Sequence, residues 1–298
     1  MKKKILILGG SGFIGTKIVE KLQLNPHYTI TSTYHTHLPQ IRNSRWIKLD
    51  MNNLQQLRDT LERASADTII NLVTYSKGTS HVDACEKDKA ECSFVNISPT
   101  KIIAAHCQRN PSVKYIFFSS SQVFSGDTKH TENGLPEPKN VYGQTKLHAE
   151  SIITKLSNYA IVRPCVVFGI PLPFQHGNIF NHIYRSFRRG KEFTAYTDMI
   201  RSPCYVQDVV KLVEEIIKQD ATGIFHVPSE TASINEFAKE IVSFFKFNAK
   251  LLQPGSAKNE PACRARNTSL DSAYTQKKLS LRPTPWKKAF AQMQEMLA

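Results

Sequence analysis

From Lys4 to Gly169 the hydrophobic positions alternate between two rhythms. Short, unbroken apolar runs end in glycine or a polar turn, and between them apolar residues recur with helical spacing. KILILGG is such a run and reads as a buried strand. IGTKIVEKLQ follows as a helix. YTITSTY and WIKLD predict strands, LQQLRDTLERAS a helix, and TIINLVTY a further strand. After a polar loop, SPTKIIAAHCQ predicts a helix and VKYIFFSS a strand. VYGQTKLHAESIITKL then predicts a long helix, and YAIVRPCVVFG a sixth strand. Strands alternating with helices imply a parallel sheet covered on both faces, doubly wound by right-handed crossovers.

Beyond Gly169 the rhythm changes. IPLPFQHGNIF carries two prolines and no clear period. NIFNHIYRSFRRG and YVQDVVKLVEEIIKQ predict helices, the second strongly amphipathic, and GIFHVP a strand. SINEFAKEIVSFF opens on a capping box, Ser233 with Glu236 three residues on. The expected fold class is α/β, a doubly wound parallel (Rossmann) sheet with a smaller α/β lobe that would bind substrate. The dinucleotide-binding domain is expected over residues 1–169 plus 206–228, and the second lobe over 170–205 plus 229–298.

Composition narrows the class without choosing a function. The 298 residues are 41% hydrophobic and 21% charged, enough for a sizeable core. The net charge of +14 favours anionic partners but is dispersed, which suits a solvated surface or phosphorylated small molecules. No DNA- or RNA-binding motif is present, so nucleic acid is not an expected partner. Six cysteines without a CxxC pair argue against zinc and dithiol sites, no metal is expected, and scattered thiols suit a reducing cytoplasm. MKKKILIL begins like a signal peptide but breaks at once into GGSGFIG, and no apolar run reaches membrane-spanning length. A membrane is therefore not an expected partner.

Gly9, Gly12 and Gly15 stand as GxxGxxG between the first strand and first helix, with Phe13 and Ile14 inside the turn. A tight turn without Cβ atoms lets backbone approach a pyrophosphate, and the helix N-terminus offers free N–H groups. This predicts dinucleotide binding. The second strand ends at Tyr34 and His35 without a carboxylate on it. A 2′-phosphate would be tolerated there, met by His35 or Arg42, so NADP (NADPH) is favoured over NAD.

Tyr142 and Lys146 are four apart at the start of a helix and share a face. A lysine ammonium there would lower the tyrosine pKa and make it a usable acid or base. Ser120 ends the preceding strand, at the sheet edge where ligands gather, and could polarise a carbonyl. A second YxxxK, Tyr274 with Lys278, has no strand before it, so the spacing by itself is weak. His81 falls in an insertion after the fourth strand, where a solvated loop position is expected over a substrate-facing one.

GGSGFIG, SSSQVF and YGQTK together resemble the extended short-chain dehydrogenase/reductases, which act mostly on nucleotide sugars. The resemblance implies that Ser120 orients the substrate oxygen, Tyr142 transfers the proton, and Lys146 tunes the tyrosine and holds the nicotinamide ribose. It sets Asp50 and Met51 beside adenine, and Leu72, Val73 and Thr74 at the strand end beside the cofactor. VDACEKDKAECSFVN, Asn178-Ile179, DMIRSPCYVQDVV and CRARNTSLD, with Trp286 following, most resemble the dTDP-4-dehydrorhamnose reductase branch. That likeness turns Asn178, Arg201 and Arg264 toward the nucleotide sugar. Arg201 replaces the branch's glycine, where it would clamp a diphosphate or make a surface ion pair.

Ser121-Gln122 stand where the reductases have Asp-Tyr, so Gln122 would face a different sugar or pose. The same pair lacks the Asp-Glu of nucleotide-sugar dehydratases, which argues against water elimination. The implied activity is NADPH-dependent reduction of a 4-keto (deoxy)hexose nucleotide sugar. A 4-epimerase with retained NAD, or a non-catalytic regulatory subunit like that of methionine adenosyltransferase, are the alternatives. The resemblance also implies a homodimer, which the sequence neither shows nor denies.

Overall fold

The computed structural model describes residues 2–41, 44–78, 80–260 and 262–297. The chain runs β1 (Lys3–Leu8), α1 (Phe13–Leu22), β2 (Tyr28–Tyr34), β3 (Arg45–Lys48), α2 (Leu54–Ala64) and β4 (Thr68–Asn71). It continues through α3 (His81–Lys87), α4 (Lys89–Arg109), β5 (Lys114–Phe118), α5 (Val141–Ile153) and β6 (Tyr159–Arg163). The second half holds β7 (Val167–Phe168), α6 (Ile179–Arg188), β8 (Phe193–Tyr196), β9 (Ile200–Arg201), β10 (Cys204–Tyr205) and α7 (Val206–Lys218). After these come β11 (Gly223–His226), β12 (Ala232–Ser233), α8 (Ile234–Phe244), β13 (Leu252–Gly255), α9 (Ala273–Leu279) and α10 (Trp286–Leu297).

Seven strands form one parallel sheet in the order β11-β6-β5-β4-β1-β2-β3. Order reverses after β3 and the chain returns to β4 beside β1, which opens a crevice at the carboxyl ends of β1 and β4. Alternation within each strand sorts its side chains to the two faces. Ile5, Ile7, Ile70, Ile116 and Val162 pack with Ile18, Val19 and Val213 from α1 and α7. Leu6, Leu8, Ile69, Phe117 and Ile161 pack with Leu57, Leu61, Ile103 and Ile153 from α2, α4 and α5. A third core lies apart from these two. Phe168, Phe180, Phe237, Trp286 and Phe290 interlock there, with ring centroids of Phe168 and Phe237 5.2 Å apart.

Three local readings change. YAIVRPCVVFG is not one strand: Pro164 lacks the N–H a ladder needs, Val166 turns to φ +47°, and β7 leaves to pair with β10. The helix foreseen from Ser98 begins earlier, at Lys89, capped by Asp88. The cysteines are not all separate thiols. Asp88 ends α3 and starts α4 at φ −138°, ψ 80°, folding the chain back so that Cys85 and Cys92 form a disulfide with Cα atoms 5.1 Å apart. Cys107, Cys165 and Cys204 are buried free thiols and Cys263 an exposed one. Among the described residues, no helix is long and apolar enough to cross a membrane.

Candidate active site

The glycine turn is built as tightly as its spacing predicts. Gly9 sits at φ +78°, and the Gly12 N–H donates to its carbonyl at 3.1 Å. A Cβ at Gly15 would lie 2.4 Å from the Gly9 oxygen, so α1 could not pack this closely with any other residue. Gly12 is the N-cap of α1 and supplies no side-chain cap, while the first turn holds no acid. The opening N–H groups of α1 are thus left to a ligand, and an anion there is also favoured by the helix dipole. These features fit a dinucleotide's diphosphate. Phe13 and Ile14 are half-buried behind the turn, and Val73 lies against Gly9.

At the outer end of this groove, Tyr34 closes β2 and His35 is exposed. The His35 Nε2 stands 4.0 Å from Asp50 Oδ1. This corrects the picture of an uncharged pocket: β2 itself carries no acid, but β3 pairs beside it and delivers Asp50 to the same wall. Met51 is buried behind it. Arg42 lies outside the described residues.

Tyr142, Ser120 and Lys146 come together at the carboxyl edge of β5. Asn140 caps α5, accepting from the Gly143 N–H at 2.9 Å, which starts the helix one residue before the tyrosine. Gly143 lets α5 touch the turn after Ser120, since a Cβ there would lie 2.1 Å from the Gln122 oxygen. Tyr142 is 7% exposed, Ser120 9% and Lys146 2%. The Lys146 ammonium donates to the Phe118 carbonyl at 2.9 Å and lies 5.8 Å from the centre of the Tyr142 ring. An ammonium has three donors, so two remain for a ligand.

The electrostatics differ from the expectation. Burial raises the Tyr142 pKa above its ordinary value, opposed by hydrogen bonds from the Ser120 and Thr74 side chains. Lys146 does not bond the phenol. Its own pKa is pushed down to about 7 by desolvation, with only Glu150 pulling upward. Glu150 is already spent on Arg163, which donates to it at 2.9 and 2.6 Å. In the free protein, burial therefore outweighs the Ser120 and Thr74 hydroxyls, and Tyr142 stays protonated at neutral pH.

Several groups that support this centre were not read from the sequence. Asn96 on α4 donates to Thr145 at 2.9 Å and accepts from the Tyr75 N–H at 2.9 Å, tying the loop after β4, with Leu72 to Thr74, to α5. Its signal was an asparagine inside a helix that buries the residues around it. His81 is not a loop residue. It starts α3 and stacks on Tyr142, with centroids 5.6 Å apart. Gln175 reaches from the loop before α6 to the glycine turn, donating to the Ser11 carbonyl at 2.9 Å and to Thr16 at 3.2 Å. Phe174 stacks on His37 at 5.3 Å. No periodicity marks that loop, so pattern reading passed over it.

Besides Ser120, the four residues assigned to substrate are placed unevenly. The Gln122 Oε1 accepts from Asn140 at 3.0 Å beside Tyr142. Asn178 caps α6 in a capping box and donates to the Gly169 carbonyl at 2.9 Å. Arg201 is not at the surface. It is 1% exposed, and its guanidinium donates to the carbonyls of Ile200, Arg266 and Ala265, since β9 turns it inward beneath residues 265–266. Arg264 is held by Asp83 of α3 at 2.7 and 2.8 Å. Among the described residues no cluster of histidine, cysteine and acid suits a metal.

Known proteins share this architecture. The family model described as RmlD substrate binding domain matches residues 2–298. The probable low-salt glycan biosynthesis reductase Agl14 of Haloferax volcanii is 24% identical, over 89% of this chain and 88% of its own length. The N-acetyl-alpha-D-glucosaminyl-diphospho-ditrans,octacis-undecaprenol 4-epimerase of Escherichia coli O157:H7 is 26% identical, over 81% of this chain and 72% of its own. The crystal structure of dTDP-4-dehydrorhamnose reductase from Bacillus anthracis str. Ames in complex with NADP superposes with a TM-score of 0.82 at 24% identity, covering 98% of this chain and 99% of that one. The chain belongs to the RmlD substrate-binding-domain family, NAD(P)-dependent nucleotide-sugar-modifying enzymes within the extended short-chain dehydrogenase/reductases.

Proposed function

We propose that the protein is an NADPH-dependent reductase of a 4-keto (deoxy)hexose nucleotide sugar. The observation that carries this reading is the buried Tyr142, protonated at neutral pH, grouped with Ser120 and Lys146 beside an uncapped glycine turn. When bound, the nicotinamide supplies a hydride to the carbonyl carbon.

The chain's residues do the rest. Gly9, Gly12 and Gly15 admit the diphosphate to the start of α1. His35, Asp50 and Met51 line the adenosine end, and Val73 and Thr74 the path to the centre. The two open donors of Lys146 hold the nicotinamide ribose. Ser120 donates a hydrogen bond to the substrate carbonyl oxygen and polarises it. Tyr142 then gives its proton to that oxygen as negative charge develops there. The phenolate left behind is stabilised by the Lys146 ammonium, and its opposite charge in turn raises the lysine pKa from near 7 and keeps that proton on the lysine. Arg264 faces the diphosphate side of the sugar nucleotide, and Arg201 adds its field from below.

NADPH oxidation with a panel of 4-keto sugar nucleotides tests this, and no oxidation with any of them removes the reading. The Asp50 carboxylate beside His35 favours a second reading, a 4-epimerase, because an acid at that wall suits the ribose hydroxyls of NAD. Protein purifying with tightly bound NAD and interconverting two sugar epimers would support it.

A further inference from the structure

His81 is fixed from several sides. Cys85 ties α3 to α4, Asp83 holds Arg264, and Glu86 accepts from the Val141 N–H at 2.9 Å, one residue before Tyr142. At the head of α3, the imidazole stacks on the Tyr142 ring at an interplanar angle of 25°. Its Nδ1 lies 3.1 Å from the Tyr75 carbonyl. A carbonyl only accepts, so Nδ1 carries the hydrogen, and the lone pair of the neutral ring falls on Nε2.

Nε2 has no hydrogen-bond partner among the described residues. The residue keeps a solvent-exposed surface, so a ligand can reach the ring beside Tyr142. Desolvation lowers its pKa below the ordinary 6.5, and the charges of Lys146 and His176 lower it further. At neutral pH the ring is therefore uncharged and Nε2 is an acceptor.

We propose that His81 is a specificity-determining residue, its Nε2 accepting a hydrogen bond from a sugar hydroxyl near the carbonyl that faces Tyr142. The inference rests on the nucleotide-sugar reading of the site. An acceptor held in place by α3 discriminates once a bound sugar shuts water out from it, because a ligand without the hydroxyl then leaves it unsatisfied. The preferred substrate then keeps a hydroxyl beside the reacting carbon and is not deoxygenated there.

Binding tests this apart from turnover. The full chain with NADP is titrated with nucleoside diphosphate hexoses and with counterparts lacking single ring hydroxyls. His81→Phe keeps a stacked ring without the acceptor, and His81→Gln restores an acceptor oxygen. The expected result is Kd about tenfold weaker in His81→Phe for one hydroxylated sugar, no change for its deoxy counterpart, and partial recovery in His81→Gln. Turnover of 4-keto sugars is followed separately on the same proteins, with the effect expected in KM and not in kcat. Equal losses for hydroxylated and deoxy sugars, or no loss for either, overturn the role of His81. Hydroxyl-dependent binding without any turnover keeps it and removes the reductase. Failure to bind any hexose nucleotide overturns both.

Discussion

Two YxxxK pairs occur in this chain, and they are built in opposite ways. At Tyr274 and Lys278, on α9, the lysine donates directly to the phenol oxygen at 2.9 Å. That pair is open to solvent, Tyr274 being 47% exposed, and its lysine also donates to the Thr222 carbonyl at 3.1 Å, at the amino end of β11. At Tyr142 and Lys146 the side chains are buried at the carboxyl edge of β5, and the lysine donates to the Phe118 carbonyl and not to the phenol. The pair with the direct mutual hydrogen bond is the exposed one, away from the glycine turn. Spacing brings a lysine near a tyrosine, and burial at the sheet's carboxyl edge decides whether its pKa and its open donors can serve a reaction.

The largest expected difference is in proton transfer. Tyr142→Phe should lose about 10²–10⁴-fold in kcat/KM, while Tyr274→Phe stays within about twofold in the same assay. Full turnover by Tyr142→Phe would erase the distinction. Next is Lys146→Met, which should cost about 10²-fold in turnover without lowering Tm, because it removes a cation that burial already disfavours.

That variant has a pH signature too. The folded Lys146 has shed its proton above about 7, whereas the unfolded chain holds it to the ordinary 10.5. The unfolded state binds more protons in that window, so stability contributed by this site rises with pH between the two values. Denaturant melts of wild type and Lys146→Met across the window should differ in that slope. Asp50→Asn, which leaves His35 without its acidic neighbour, should raise the preference for NADPH over NADH about three- to tenfold, read from the ratio of kcat/KM values. Smallest of all, Lys278→Ala at the exposed pair should change unfolding free energy by no more than about 0.5 kcal/mol.

Much of the architecture was legible because strands buried on both faces announce themselves as unbroken apolar runs, as KILIL and KYIFF do. GxxGxxG was legible because a crowded turn admits no other residue. Tyr142 was legible through its place in the strand–helix order. The parts that escaped depend on distant partners. Asp50 meets His35 only because β3 pairs with β2. Arg201, by sequence a plausible anion clamp, is folded under by β9. The sign of the Tyr142 shift could not be read from the lysine four residues on, since burial, which spacing does not report, is the larger effect. His81 looked like loop because an insertion with glycine and serine hides a helix of seven residues.

The bond between Cys85 and Cys92 makes that short helix an appendage of its longer neighbour. A single helix of seven residues has too few hydrogen bonds to persist unaided in water. Closing so small a ring removes about 2.5 kcal/mol of freedom from the unfolded chain by the entropic account. Amide hydrogens within residues 84–87 should accordingly resist exchange until α4 opens with them. With a thiol reductant present, the same stretch should become one of the earliest parts of the chain to take up deuterium, well before the sheet loosens.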